Sequence, residues 1–190
     1  MPGVLDSHNW GGDDDSGWIN SSSGIVSVYG GKKYFGQDQV PGPWDVVGHA
    51  REKVIDFAPN VTFQQVMAVT KDTYTNLVFG VRTDPSFFVQ GCAGVYFGAY
   101  QTGALEAFLW DVNTNNTSSI RIPLVKNKDY TARIVTMEDG KIEAFIGKHS
   151  LGVSANWGSV PYTTMHGMLA FSECGNGTGL AVIDNYKVSQ

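Results

Sequence analysis

The period of its apolar residues restricts this chain more than any other feature. From Gly24 onward, short runs alternate apolar and polar side chains, and turn-forming residues separate them. A period of two puts successive side chains on opposite faces of an extended strand, whereas a helix needs a period near 3.6. The runs are "GIVSVYG" (24–30), "AREKVIDF" (50–57), "VTFQQVMAVT" (61–70), "TNLVFGVRT" (75–83), "CAGVYFGAY" (92–100), "SIRIPL" (119–124), "YTARIVTM" (130–137), "TMHGMLAFSE" (164–173) and "GLAVIDNYKV" (179–188). "GALEAFLWDV" (103–112) contains helix formers. It is short and its flanks, "QTG" and "NTNNTSS", are turn-like, so it reads as a strand.

Turn chemistry supports the same reading. "GKKYFG" follows the first run as a short hairpin, and Asp139-Gly140 is the strongest hairpin signal in the chain. The stretch "GQDQVPGPWDVVG" (36–48) holds two prolines that cannot sit in a central strand. About eleven closely spaced strands predict an all-β antiparallel sandwich or barrel. No repeat, linker or composition break divides the 190 residues. The expectation is one domain over 1–190, with an N-terminal arm (1–23) packing on a sandwich (24–190) or on a neighbouring molecule.

The net charge of −5 argues against binding a nucleic-acid backbone. No apolar run reaches the roughly 20 residues that cross a bilayer as a helix. The first residues, "MPGVLDSHNWGGDDDSGW", show no signal peptide. Cys92 and Cys174 read either as a disulfide, which would pin the "SECGNGTG" loop, or as two small buried hydrophobes. N-x-S/T sequons occur at Asn20, Asn60, Asn115, Asn116 and Asn176. Chance placement of this composition gives roughly 1.6, so the excess points to an extracellular or surface-exposed glycoprotein.

The order of strands resembles the concanavalin A-like lectin/glucanase jelly roll over about Gly24 to Val188. The resemblance is most specific in the last third: "YTARIVTMEDGKIEAFIGKHSLG", then "HGMLAFSE", then "AVIDNYKV". Laminin-G-like and glycan-binding modules of that superfamily end in a similar pattern. The resemblance implies a jelly roll and a glycan or polysaccharide partner.

Asp184 and Asn185 interrupt the alternation of the last strand. One reading is a β-bulge, whose side chains bond to neighbouring backbone. The other is a structural Ca²⁺ site, which needs several hard oxygens. Asp13, Asp14 and Asp15 would then join Asp184, because the first and last strands of a jelly roll commonly pair. The triple Asp also reads as a solvated acidic turn.

Catalytic signals are thin. Glycosidases of this superfold resemble one another through acidic runs of the kind E-x-D-x-x-E, and the chain has none. Glu106 stands alone on its strand, with Asp111 on the opposite face. His8, His49, His149 and His166 have no metal-ligand spacing. A lyase built from distant Tyr, His and Arg residues stays open.

Alternation does suggest a binding face. Ala93, Val95, Phe97, Leu105, Ala107, Leu109, Leu77, Phe79 and Val81 form core rows. The opposite rows carry Arg82, Tyr96, Tyr100, Glu106, Phe108 and Trp110, with glycines making room. Aromatic planes beside charged groups suit a sugar ring, which has an apolar face and a hydroxyl rim. Trp44 and Trp157 are loop aromatics that would rim a site or plug a sandwich end. The expectation is a non-catalytic carbohydrate-binding module. The alternatives are a self-assembling fibre, appendage or shell subunit, and a polysaccharide-degrading enzyme.

Overall fold

The computed structural model describes residues 3–21, 25–36, 46–51, 53–55, 58–69, 75–82, 92–99, 104–111, 116–154, 165–166, 168–174 and 181–190. The first strands are β1 (Val4–His8), β2 (Trp18–Ser21), β3 (Ile25–Tyr29), β4 (Lys32–Gly36), β5 (Val46–Arg51) and β6 (Val54–Ile55). Next come β7 (Thr62–Val69), β8 (Thr75–Arg82), β9 (Cys92–Ala99), β10 (Leu105–Asp111), β11 (Asn116–Thr117) and β12 (Ile122–Pro123). The last are β13 (Tyr130–Thr136), β14 (Ile142–Ile146), β15 (His149–Val153), β16 (Met165–His166), β17 (Met168–Cys174) and β18 (Ala181–Ser189). A single 3₁₀ turn, Gly11–Asp13, is the one helical element among the described residues. The strands beyond the expected eleven are mostly short ones, too brief to display a period.

Two antiparallel sheets face each other. The first runs β15-β14-β13-β7-β18-β4-β3, with β1 also paired to β18. The second runs β11-β10-β9-β8-β17-β5-β2, with β12 also paired to β10. This is an antiparallel sandwich, one of the two architectures that the alternation allows, in the jelly-roll form that the resemblance implies. Phe63, Met67, Ile134, Ile142, Ile183 and Val188 from the first sheet pack with Phe79, Val95, Phe97, Ala107 and Leu109 from the second. Burial of these side chains dominates the stability of the fold. At the tip of the β3–β4 hairpin, Gly30 and Gly31 both take positive φ, the backbone a tight two-residue turn demands.

The described part of the expected arm, residues 3–21, does not lie outside the sandwich. β1 extends the first sheet and β2 the second. The successive runs 61–70 and 75–83 supply β7 and β8, which belong to different sheets.

The register also separates the two cysteines. Cys92 lies opposite Arg82 and Cys174 opposite Thr75, at the two ends of β8. Seven residues of strand put them about 23 Å apart along β8, and a disulfide spans at most about 7 Å between Cα atoms. An intramolecular Cys92–Cys174 bond is therefore excluded.

β18 resolves the Asp184–Asn185 question. Its pairing with β7 shifts between Asp184 and Lys187. Asn185 sits at φ 49, and its N–H donates to Asp184 Oδ1 at 2.7 Å. This is a β-bulge at a residue type that tolerates the left-handed region. The bulge lets Ile183 point inward before it, and Tyr186 and Val188 after it.

Candidate functional site

β8, β9 and β10 are consecutive neighbours in the second sheet, so their outward rows form one surface. Tyr96 is opposite Phe108 across β9 and β10, and Val78 opposite Tyr96 across β8 and β9. The Tyr96 and Phe108 rings stack at 4.2 Å, and Trp110 meets Tyr96 edge-on at 6.1 Å. None of these three rings joins the inter-sheet core cluster, whereas Val95, Phe97, Ala107 and Leu109 do. The two faces thus divide as the alternation requires.

Exposure differs from the sequence reading. Tyr96 and Phe108 are 2% and 3% exposed, while Trp110 and Glu106 are half-buried. The two stacked rings cover each other, and the Arg121 guanidinium lies 3.9 Å from the Phe108 ring centre. Arg121 comes from the segment between β11 and β12. Its Nε faces Glu106 Oε1 at 3.3 Å, its Nη2 donates to Thr117 Oγ1, and its Nη1 donates to the Ser118 carbonyl. Tyr96 and Phe108 therefore support the surface from beneath and do not present ligand faces. Trp110, Glu106 and Arg121 form its accessible part.

Arg121 escaped the sequence reading because "SIRIPL" reads as a plain strand; only the pairing of β11 and β12 with β10 brings it over Phe108. Arg82 ends β8 on the same sheet, but its side chain and all of Tyr100, Trp44 and Trp157 lie outside the described residues. The expected role of the glycines also changes. A Cβ at Gly94 would lie 2.0 Å from the Phe79 carbonyl oxygen, so Gly94 serves close strand approach and not a ligand.

The acidic N-terminal turn is tied into a second cluster. Asp15 accepts from Lys33 Nζ at 2.6 and 2.8 Å and from Trp10 Nε1 at 3.2 Å. Asp14 accepts from the Ser16 N–H and hydroxyl, and Asp13 from the Gly31 N–H. Asp184 serves its own bulge. Among the described residues no group of three or more His, Cys, Asp or Glu is placed to hold a metal. The Ca²⁺ expectation for Asp13, Asp14, Asp15 and Asp184 thus gains no ligand cluster. Around them Trp10 stacks on Trp18 at 5.4 Å, and Tyr186 meets Trp18 edge-on at 5.1 Å. Arg51 forks onto Asp6 at 2.8 and 3.1 Å. Two tryptophans within nine residues were the available signal for this cluster, outweighed by the glycines and aspartates between them.

Lys33 is fully buried, and desolvation pushes its ammonium down to about 8 despite Asp15. Between pH 8 and 10 the unfolded chain then holds a proton that the folded chain has lost, so stability rises with pH. Burial raises the Tyr186 hydroxyl above its ordinary 10, so above pH 10 that residue acts in the opposite sense. Denaturant titrations at pH 7, 8, 9 and 10 should show the rise in the wild type and a flat profile in Lys33→Met. A wild type without the rise contradicts the assignment.

Sequon residues Asn60 and Asn116 are exposed, and Asn20 is in β2; Asn115 and Asn176 lie outside the described residues.

The two sheets and their strand order define an antiparallel jelly-roll β-sandwich. No protein-family model matches the sequence, and no curated protein matches it. Solved structures share the fold. One, from work on endo-acting O-glycanases of human gut microbiota members, is 11% identical at a TM-score of 0.71, covering 98% of this chain and 99% of that one. A Bacillus subtilis protein of unknown function with a galectin-like fold is 12% identical at 0.67, covering 100% and 98%. The carbohydrate-binding module CBM66 from the same organism is 11% identical at 0.58, covering 92% and 96%. At these identities the likeness is one of fold.

Proposed function

We propose that this chain is a non-catalytic carbohydrate-binding module that takes a glycan on the outer face of its second sheet. One observation carries the reading. Half-buried Trp110 is held edge-on by a buried Tyr96–Phe108 stack, beside the Glu106–Arg121 ion pair on the same face. A fixed indole gives a pyranose ring an apolar platform, and the paired carboxylate and guanidinium give its hydroxyls an acceptor and donors. Preorganisation lowers the entropy lost on binding. The fold, shared with a carbohydrate-binding module and a galectin-like protein, is compatible with this use.

The non-catalytic part rests on the surroundings of Glu106. Its direct cross-strand partners are Gly98 and Pro123, neither of them titratable. Asp111 is 2% exposed and faces away from it. Glycoside hydrolysis needs two carboxylates within roughly 5–10 Å across the scissile bond. An extracellular setting belongs to the same reading and is supported by the exposed sequons Asn60 and Asn116.

A glycan array followed by calorimetry tests it. Trp110→Ala should weaken binding roughly 10- to 100-fold, as for a buried aromatic anchor, with little change in melting. A blank array, or unchanged affinity in the variant, sinks the reading. Reducing ends released from a polysaccharide panel would move the protein to the enzymes.

A further inference from the structure

We propose a second saccharide-binding site on the opposite sheet, in a cavity of about 420 Å³ between β1 and the bulge of β18. That volume lies in the range of small-molecule sites, roughly 300–1,000 Å³. Ser7, His8, Gln64, Asn185 and Lys187 line it, together with Asp14. It is separated from Trp110 by the thickness of the sandwich, because β1, β7 and β18 all belong to the first sheet.

Ser7, Asn185 and Lys187 are exposed and Gln64 is half-buried, so the hydrogen-bonding capacity of the lining is open to a ligand. Among the described residues the side chains of Ser7, Gln64, Asn185 and Lys187 make no hydrogen bond or ion pair. Their surroundings behave differently: Asp6, Asp13, Asp15, Ser16, Lys33 and Arg51 are all engaged. Gln64 sits between Lys187 and Arg133 in one cross-strand row, so its place on the outer face is fixed by pairing.

The frame is rigid. The His8 ring meets Trp10 at 4.9 Å and Trp18 at 5.8 Å, and its Nε2 pairs with the Asp14 carbonyl at 3.0 Å. Asn185 is the bulge residue, and it lines the cavity.

The donor set selects the ligand class. Two amides and a hydroxyl both donate and accept, and an ammonium donates. One cation, Lys187, is balanced by one carboxylate, Asp14, which disfavours an anionic ligand. A neutral polyol, a hexose unit of a glycan, matches this alternation. The choice of a saccharide rests on the proposed function; the existence of the site does not. Two sites on opposite sheets would let one molecule bridge two glycan chains and gain avidity.

Amide spectra of the full chain, titrated separately with glucose, galactose, mannose, N-acetylglucosamine, cellobiose and lactose, test the site. At least one sugar should shift the amides of Ser7, Gln64 and Asn185. Asn185→Gly keeps the backbone conformation but removes the side-chain amide. It should weaken those shifts roughly tenfold, as for loss of one or two hydrogen bonds, and leave any Trp110 indole shift intact. Gln64→Ala should do the same. Shifts confined to Trp110 overturn this site and leave the proposed function standing; shifts confined to the cavity do the reverse. No shift at the cavity with any of the six sugars, or cavity shifts that survive both variants, overturns it.

Discussion

Arg51→Ala is expected to cost about 3–5 kcal/mol of folding stability. Arg51 and Asp6 are both largely withdrawn from water, with side chains 12% and 6% exposed. Their fork is bidentate, the geometry in which a guanidinium satisfies both carboxylate oxygens. Arg51 Nη1 also donates to the Ser16 and Gly17 carbonyls, and the guanidinium lies 5.3 Å from the Trp18 ring centre. Truncation leaves the Asp6 carboxylate buried with Lys53 3.9 Å away as its remaining cation among the described residues. The same change frees the turn between β1 and β2, so limited proteolysis should cut first within residues 11–17. Arg51→Lys keeps the charge but not the fork, and should fall between wild type and alanine. Urea unfolding checks the series; a loss below about 1 kcal/mol would mean the pair is solvated and contributes as a surface bridge does.

Gly94→Ala is the second large effect, expected at about 3 kcal/mol or more. The added methyl would meet the Phe79 carbonyl oxygen at 2.0 Å and the Gly80 Cα at 2.6 Å. Both are backbone atoms of the neighbouring strand, so no side-chain rotation relieves the contact. β8 and β9 must part, which breaks ladder hydrogen bonds in the middle of the second sheet. Because Gly94 is also the cross-strand partner of Trp110, the displacement should reach the proposed glycan surface. Thermal melting of the variant should therefore fall steeply, with a drop in glycan affinity in whatever protein still folds. An unshifted midpoint would refute the close approach of these strands.

The legible part of the sequence was whatever alternation encodes. It separated Val95, Phe97, Ala107 and Leu109 from Tyr96, Phe108 and Trp110, and the structure keeps them on opposite faces. It flagged the break at Asp184–Asn185, which is the bulge. Exposure was not legible: Tyr96 and Phe108 face outward and are still buried, because Arg121 and their own stacking cover them. The second cluster was not legible either, since Asp6, Lys33 and Arg51 are far apart in the chain and meet only through strand pairing.

The sequence by itself determined that the chain is built of antiparallel strands and which side chains of each strand share a face. A period of two is a local property that each strand carries alone. Only the tertiary structure decided which strands are neighbours, and with that the separation of Cys92 from Cys174, the seating of Arg121 on Phe108, and the cavity between β1 and β18. Those outcomes depend on register and sheet order, and both arise from long-range pairing that no single run of residues contains.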